Sequence, residues 1–283
     1  MRHYRACIVY KNQSGWTVEC VRIATWNIWH SEWELEERTN GISETLKREN
    51  CDVVLIQENT KLGSSTTAEI IAEATGLHPT LGSGRDFGVA ILTKEEPSCV
   101  YSTDVARHDY GHHGRYMALA VSINSIKYYL GSAHLAWGSD AEPYRLREIA
   151  EINKHAQKHA EEVTIIGGDF NAVQDSSTVR HINGLDGPNL WIDAWDVAGD
   201  GAGFTSVGNN RCGVVTAAKR GNYNPGMLPS RRIDHLFIRE WVYGRTGCPV
   251  EAHLIGLPPE ENSDHYGVSV ELLELLNSDT DHS

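Results

Sequence analysis

Eight short apolar runs with β-strand character recur along the chain, and they constrain its fold more than any other feature. The runs are rich in Val, Ile and aromatic residues and are bounded by Gly, Asn, Asp or Ser, as strands usually are. They cover residues 21–26, 53–56, 87–92, 117–123, 128–135, 163–166, 235–238 and 267–272. Several neighbouring runs leave no room for a helix between them, so we predict mixed or antiparallel sheets and not a regular doubly wound sheet.

Three stretches between these runs have helical composition and complete an α/β pattern. They are residues 34–50, 67–75 and 142–161. Within the last stretch, apolar residues recur at roughly helical spacing with charges between them, which is typical of a helix with one buried face. These apolar residues are Leu146, Ile149, Ile152 and Ala156.

The first twenty residues stand apart from this pattern, because the run that starts at Val21 resembles the first strand of a domain. Two explanations are open. Residues 1–20 form an extension with a small hairpin, or they are not native and Val21 is the biological start. We therefore predict one main domain over residues 21–275 and a flexible tail over residues 276–283.

Charge and composition narrow the classes of partner. The chain has 25 Lys and Arg residues against 38 Asp and Glu residues, a net charge of −13. Such a field repels long polyanions, so nucleic acid is a less favoured partner.

With no long apolar run and no secretory signal, we expect a cytoplasmic protein, and we expect a monomer. The six cysteines are widely spaced, so we expect free thiols and no zinc site built on cysteine.

Six polar sites lie where strand-like runs give way to loops, the usual place for active-site groups. Each alone has an ordinary structural explanation, such as a turn cap, a solvated rim residue or a core histidine. Together they supply carboxylate and amide oxygens for Mg²⁺ and the groups that phosphoryl hydrolysis needs. The residues are Asn27, Glu58, His134, Asp169 with Asn171, Asp234, and Asp264 with His265.

In chain order, the motifs around these residues resemble those of the endonuclease/exonuclease/phosphatase family. The motifs are Thr-Trp-Asn27, Gln-Glu58, Ala-His134-Leu, Gly-Asp169-Phe-Asn171, Arg-Ile-Asp234 and Ser-Asp264-His265, and they span residues 24–267. The resemblance implies a four-layer α/β sandwich like that of deoxyribonuclease I. Two packed, mixed and mostly antiparallel β-sheets would be flanked by helices, with the site at one edge.

The resemblance also implies a metal-dependent hydrolase of phosphate esters with Mg²⁺ as cofactor and Mn²⁺ as a possible substitute. Glu58 would be the main ligand, with Asn27 beside it and Asp264 contributing directly or through water. Whether one or two ions bind stays open.

Catalytic roles carry over in the same way. Asp169 would orient or deprotonate the attacking water, and Asn171 would hold the phosphate in the transition state. His265 would contact the phosphate, with Asp234 fixing its tautomer. His134 would donate a proton on the leaving-group side. Which histidine is acid and which is base stays open.

Further substrate contacts are expected from two basic segments. Family members often place an Arg or Tyr against the phosphate just before the strand at 117–123, which implies Arg115 and Tyr116. The histidines of residues 107–116 lack partners at metal-ligand spacing and could instead shape specificity. Residues 201–233 contain no Asp or Glu but five basic residues: Arg211, Lys219, Arg220, Arg231 and Arg232. This stretch is either a solvated loop or an electropositive lip beside Asp234, in which Arg231 and Arg232 bind substrate.

The leaving group is the least constrained feature. Inositol 5-phosphatases usually carry Trp-Cys-Asp-Arg where this chain has Arg-Ile-Asp-His, and the latter resembles the deoxyribonuclease I and sphingomyelinase branches. We expect a small or lipid-derived phosphodiester or phosphomonoester as substrate. The alternative is a DNA or RNA nuclease. A catalytically inactive binding module on the same fold is less favoured, because every motif residue is present.

Overall fold

The computed structural model describes residues 16–82, 87–103, 114–161, 163–185, 191–219, 221, 224, 228–239 and 247–277. The strands are β1 (Trp16–Asn27), β2 (Val53–Leu62), β3 (Ser65–Thr66), β4 (His78–Leu81), β5 (Phe87–Thr93), β6 (Cys99–Thr103), β7 (Arg115–Ile123), β8 (Ile126–His134), β9 (Val163–Asp169), β10 (Trp191–Asp193), β11 (Asp234–Arg239), β12 (Cys248–Ile255) and β13 (Gly267–Asn277). The helices are α1 (Leu35–Glu49), α2 (Thr67–Thr75), α3 (Glu142–Lys158), α4 (Ser177–Ile182), α5 (Ala194–Ala198) and α6 (Arg211–Lys219).

The strands form two mixed sheets. The first sheet has the order β12-β13-β1-β2-β5-β4, with the short β3 paired to β2, and the second has the order β10-β11-β9-β8-β7-β6. Each sheet contains one parallel pair, β1 with β2 and β8 with β9, and its other neighbours are antiparallel. The predicted mixed and mostly antiparallel arrangement is therefore confirmed.

Alternation along the strands produces the layers. Every second residue of the central strands points between the sheets, where Ile23 and Leu55 of one sheet pack into the same core as Leu130 and Ile165 of the other. The intervening residues face outward and are covered by α1 and α2 on the first sheet and by α3 and α4 on the second. The four-layer α/β sandwich is confirmed.

Several boundaries differ from the prediction. The first strand starts at Trp16, five residues before Val21, because residues 16–25 pair with β13 along its length to Asn277. The predicted hairpin over residues 1–20 lies mostly outside the described residues, as does most of the tail, and both stay predictions. The pattern missed the edge strands β4, β6, β10 and β12, whose composition is too mixed to show one apolar face.

Helix α6 lies inside the acid-free stretch, for which we considered a solvated loop. Its first turn is fixed by Asn210, whose Oδ1 accepts hydrogen bonds from the backbone of Cys212 and Gly213 at 2.8 and 3.0 Å. No helix was predicted here because the segment contains glycine and β-branched residues, which have low helix propensity. No helix within the described ranges is long and apolar enough to cross a membrane. The described cysteines are all free thiols, as expected.

Candidate active site

Polar residues occupy the last inward-facing positions of the central strands, at one end of the space between the sheets. Asn27 continues the inward series of β1 that runs through Ile23, and His134 ends the corresponding series of β8. In the second sheet, Asp169 pairs in register with both His134 and Asp234. Residues from four strands and two sheets therefore meet around Asp169.

Glu58 reaches this point because β2 contains a bulge. The pairing register with β5 shifts between Gln57 and Asn59, and Glu58 has a left-handed φ of 61°. The bulge turns the Glu58 carboxylate toward β1, where its Oε1 accepts a hydrogen bond of 3.1 Å from Asn27 Nδ2. Beneath it, Gln57 Nε2 donates to Ser132 Oγ at 3.1 Å and joins the two sheets.

The Asn27 amide bridges two carboxylates. Its Nδ2 donates to Glu58 Oε1 and, at 3.0 Å, to Asp169 Oδ2, while its Oδ1 accepts from the backbone of Trp29 at 3.0 Å. The amide nitrogen, and not the oxygen expected of a metal ligand, thus faces Glu58. In this arrangement Asn27 positions the two carboxylates.

Asp169 lies at the centre of the site and is almost fully buried. Its Oδ2 is 3.5 Å from His134 Nε2 and 3.9 Å from His265 Nε2, and its Oδ1 accepts from the backbone of Asn171 at 2.8 Å. Burial raises the pKa of Asp169, helped by the charge of Asp234 and opposed by the two histidines. A carboxylate flanked by two imidazoles is suited to moving protons.

His265 and Asp234 form a hydrogen-bonded pair. The distance from His265 Nδ1 to Asp234 Oδ2 is 2.8 Å, which leaves Nε2 directed toward Asp169. Burial alone would lower the pKa of His265, but the charges of Asp234 and Asp169 raise it well above the usual value. The hydrogen bond to Asp234 therefore fixes the ring in one orientation, and the two nearby charges favour its imidazolium form.

Asp264 lies on the Glu58 side of the site. Thr216 in α6 donates to Asp264 Oδ2 at 3.0 Å. Burial, together with the charge of Glu58, raises the pKa of Asp264 to about 6. A divalent cation between these carboxylates would relieve their repulsion, so the hard oxygen ligands present fit Mg²⁺ or Mn²⁺.

Among the described residues, three ligand atoms that lie within 4.8 Å of one another belong to Asp169, Asp234 and His265. A cation there would have to displace the buried hydrogen bond from His265 to Asp234, whereas the contact of His30 with Glu58 lies at the more exposed end of the site. The Glu58 side is therefore the better candidate for the metal.

Asn171 and Arg115 lie beside these groups. Asn171 has a left-handed φ of 48°, and its Nδ2 donates to the carbonyl of Leu135 at 3.1 Å, so its side chain is held against the end of β8. Arg115 pairs in register with His134 and is half-buried. Both residues remain candidates for phosphate contact.

Tyr116 does not belong to the site. As the next residue after Arg115 in β7, it points to the opposite face of the sheet and packs under α3. Its hydroxyl lies 2.6 Å from that of Tyr129, which in turn lies 2.7 Å from His155 Nδ1. The predicted phosphate contact by Tyr116 is wrong, because this side chain is a core residue.

Arg232 is also not a substrate contact. Its side chain is buried and pairs with Asp193 and Asp196, with N–O distances of 2.5 Å for both. The expectation that it binds substrate is wrong, because its guanidinium is buried in ion pairs with Asp193 and Asp196. Arg231 is exposed, and its backbone exchanges two hydrogen bonds with Ser206.

The remaining basic residues of the acid-free stretch form contacts near the Glu58 side. Arg211 pairs with Glu34 and lies over the Trp33 ring, with its Cζ 4.8 Å from the ring centroid. Lys219 Nζ donates to Ser31 Oγ at 2.8 Å. Arg220 and the histidines of residues 107–113 lie outside the described residues. Among the described residues, the basic side chains available to such a lip are those of Arg211, Lys219 and Arg231.

Sequence reasoning missed two groups, the exposed His30 and the buried Glu148. His30 contacts Glu58 Oε2 through its backbone N at 2.9 Å and through its ring Nδ1. Its one sequence signal was its place three residues after Asn27. Glu148 in α3 is fully buried and accepts hydrogen bonds from the backbones of Gly114 at 2.9 Å and Ala136 at 2.8 Å. Its signal was a charge on the apolar face of the helix.

Glu148 fixes the chain just before Arg115 and just after Leu135, so we expect Glu148→Gln to lower the free energy of unfolding by about 1.5–3 kcal/mol. The amide replaces a charged acceptor and leaves one of the two buried N–H groups poorly paired. Urea denaturation measures the change, with the exposed Glu151→Gln on the same helix as control. Equal midpoints for the two variants would contradict this role.

The fold is similar to several solved structures. TDP2 of D. rerio, solved in complex with a single strand DNA product, is 19% identical over 89% of this chain and 98% of that chain, with a TM-score of 0.69. A truncated Caenorhabditis elegans TDP2 is 18% identical over 89% and 97% of the two chains, with a TM-score of 0.68. A Leptotrichia buccalis endonuclease/exonuclease/phosphatase family protein is 18% identical over 89% and 99%, with a TM-score of 0.64. At these identities the similarity shows the fold alone.

No curated protein matches the chain significantly. In contrast, residues 24–265 match the sequence model of the Endonuclease/Exonuclease/phosphatase family, and this range contains all of the motif residues from Asn27 to His265. Members of the family are metal-dependent hydrolases of phosphate esters, so the predicted enzyme class is confirmed. From the match and the fold together, the chain belongs to the endonuclease/exonuclease/phosphatase family.

Proposed function

We propose that this enzyme hydrolyses a small or lipid-derived phosphodiester or phosphomonoester with Mg²⁺, by in-line attack of water on phosphorus. The observation that carries the proposal is the position of Asp169 between His134 and His265, next to the carboxylates of Glu58 and Asp264. Two imidazoles around one carboxylate supply a proton acceptor and donors at a single phosphorus atom.

Glu58 and Asp264 would hold the cation, and Asn27 would keep Glu58 and Asp169 in place. When bound, the cation would neutralise charge on the phosphate and orient it. Mn²⁺ is a possible substitute because it accepts the same oxygen ligands.

The proton transfers follow from the distances around Asp169. Asp169 Oδ2 would take a proton from the attacking water as the new P–O bond forms. The bond to the leaving oxygen would break as His134 gives that oxygen a proton. His265, held by Asp234, would donate from Nε2 to a non-bridging oxygen, and Asn171 would stabilise the same charge.

A substrate panel tests the proposal. Wild-type protein and Asp169→Asn would be assayed with Mg²⁺ on bis(p-nitrophenyl) phosphate, p-nitrophenyl phosphate, sphingomyelin, plasmid DNA and RNA. We expect turnover of a small ester or of the lipid by the wild type, and none by the variant. An absence of turnover on every substrate would favour a binding module instead.

A nuclease is the second candidate function. The two cations on α6, Arg211 and Lys219, lie over Trp33 and the buried Trp29 on the Glu58 side. A cationic surface with the partly exposed Trp33 suits single-stranded nucleic acid. The D. rerio TDP2 structure also holds a single strand DNA product. The net charge of −13 opposes this candidate. Preferential cleavage of plasmid DNA or RNA in the panel would favour it.

Asp234→Asn tests the role of the His265 pair. The charge of Asp234 raises the pKa of His265, so its loss lets burial lower that pKa and the imidazolium disappears at lower pH. We expect kcat to fall by about 10²-fold and the alkaline limb of the pH–kcat profile to move to lower pH. The profile is measured by steady-state kinetics. A lower kcat with an unmoved alkaline limb would contradict the pairing role.

A further inference from the structure

His30 places a ring nitrogen directly against the expected metal ligand. Its Nδ1 contacts Glu58 Oε2, and its backbone N donates to the same oxygen at 2.9 Å. The His30 side chain is 46% exposed and that of Glu58 is 14% exposed, so His30 Nδ1 and Glu58 Oε2 meet at the mouth of the site. An ion that approaches Glu58 from solvent therefore meets an imidazole first.

The loop that carries His30 is held in place by hydrogen bonds with Asn27 and Arg38. Trp29 has a left-handed φ of 57°, and its backbone N donates to Asn27 Oδ1, which turns the chain back toward Glu58. The buried Arg38 guanidinium donates to four carbonyls of this loop and to one carbonyl beside Asp264. Those carbonyls belong to Ile28, Trp29, Ser31, Trp33 and Asn262. A loop held by so many bonds presents His30 in one position.

We propose that His30 is a nitrogen ligand of the metal site and makes the site prefer Mn²⁺ over Mg²⁺. This inference rests on the proposed function, because it requires an ion at Glu58. Mg²⁺ takes oxygen ligands almost exclusively, whereas imidazole binds transition metals, and affinity rises along that series from Mn²⁺. One imidazole beside carboxylates therefore strengthens Mn²⁺ binding more than Mg²⁺ binding.

Metal binding to the full chain tests the proposal without an activity assay. Free Mn²⁺ is titrated by its EPR signal, and Mg²⁺ affinity is obtained by competition. The variants are His30→Ala, His30→Gln and Glu58→Gln, with His78→Ala as the control. His78 is an exposed histidine of β4, and its partner Thr93 pairs with Val53 at the far end of β2 from Glu58. Pulsed EPR on the Mn²⁺-loaded protein reports nitrogen bound to the ion.

We expect His30→Ala and His30→Gln to weaken Mn²⁺ binding by about 10- to 100-fold and Mg²⁺ binding much less. The nitrogen coupling should disappear in both variants and persist in His78→Ala. Gln can still donate a hydrogen bond to Glu58, so a His30→Gln variant with wild-type Mn²⁺ affinity would reduce His30 to a positioning residue and overturn the proposal.

Failure of the inference and failure of the proposed function have different signatures. If Glu58→Gln abolishes binding of both ions while His30→Ala leaves their affinity ratio unchanged, the inference alone is wrong. If Glu58→Gln binds Mn²⁺ and Mg²⁺ as tightly as the wild type does, or if the wild type binds neither ion, the metal site of the proposed function is wrong as well. Thermal unfolding of each variant identifies any change caused by misfolding.

Discussion

Asp169→Asn should lower kcat/KM by about 10²- to 10⁴-fold, the range expected for loss of a general base. The amide cannot accept the proton of the attacking water. It also removes the charge that His134 Nε2 and His265 Nε2 face at 3.5 and 3.9 Å. Because this one carboxylate contacts residues from both sheets, no other single substitution should disturb so many of the proposed steps.

The same substitution should not unfold the protein. Burial raises the pKa of Asp169, so the ionised carboxylate is less favourable in the folded state than in the unfolded state at neutral pH. Asn has the same shape without the charge. We therefore expect an unchanged or higher Tm together with the lost activity, and the exposed Asp200→Asn should change neither. A variant that keeps wild-type kcat/KM would remove Asp169 from the mechanism.

Arg232→Ala should lower the free energy of unfolding by about 3–5 kcal/mol. The substitution leaves Asp193 buried with the ring of His235, at 2.7 Å, and the backbone N–H of Trp195, at 3.1 Å, as its remaining partners. Burial alone would raise the pKa of Asp193, and His235 together with Arg232 keeps it lowered. The second partner of Arg232, Asp196, is 54% exposed and should contribute little.

Arg231→Ala provides the matched control, because the side chain of Arg231, next to Arg232 in the chain, is exposed. We expect its free energy of unfolding to stay within about 0.5 kcal/mol of the wild type. Urea denaturation followed by circular dichroism compares the two variants. A stable Arg232→Ala protein with a raised KM would reverse the conclusion and return Arg232 to the substrate site.

The layers and most of the candidate site could be predicted because both depend on local patterns. Central strands alternate apolar residues, and Asn27, His134 and Asp169 interrupt that alternation at strand ends. The edge strands could not be predicted, because one of their faces and one of their edges meet solvent. The bulge at Glu58 left no trace in the sequence, since its left-handed residue is not glycine.

The two wrong substrate contacts had different causes. Tyr116 follows Arg115 in one strand, and alternation alone assigns the two side chains to opposite faces, so this error was avoidable. Arg232 could not be assigned, because its partner Asp193 lies 39 residues away and its pairing depends on tertiary structure. The same holds for the partners of Arg38 and Glu148, because a charge on the apolar face of a helix does not reveal which loop backbone it will bind.

Turnover by this enzyme should depend on a divalent cation held at Glu58. Wild-type protein would be stripped with EDTA and assayed on bis(p-nitrophenyl) phosphate before and after Mg²⁺ is restored, with Glu58→Gln in parallel. We expect no turnover in EDTA, full recovery with Mg²⁺ in the wild type, and no recovery in the variant. Turnover that persists in EDTA, or that Glu58→Gln retains in full, would contradict a reaction that depends on a cation at Glu58.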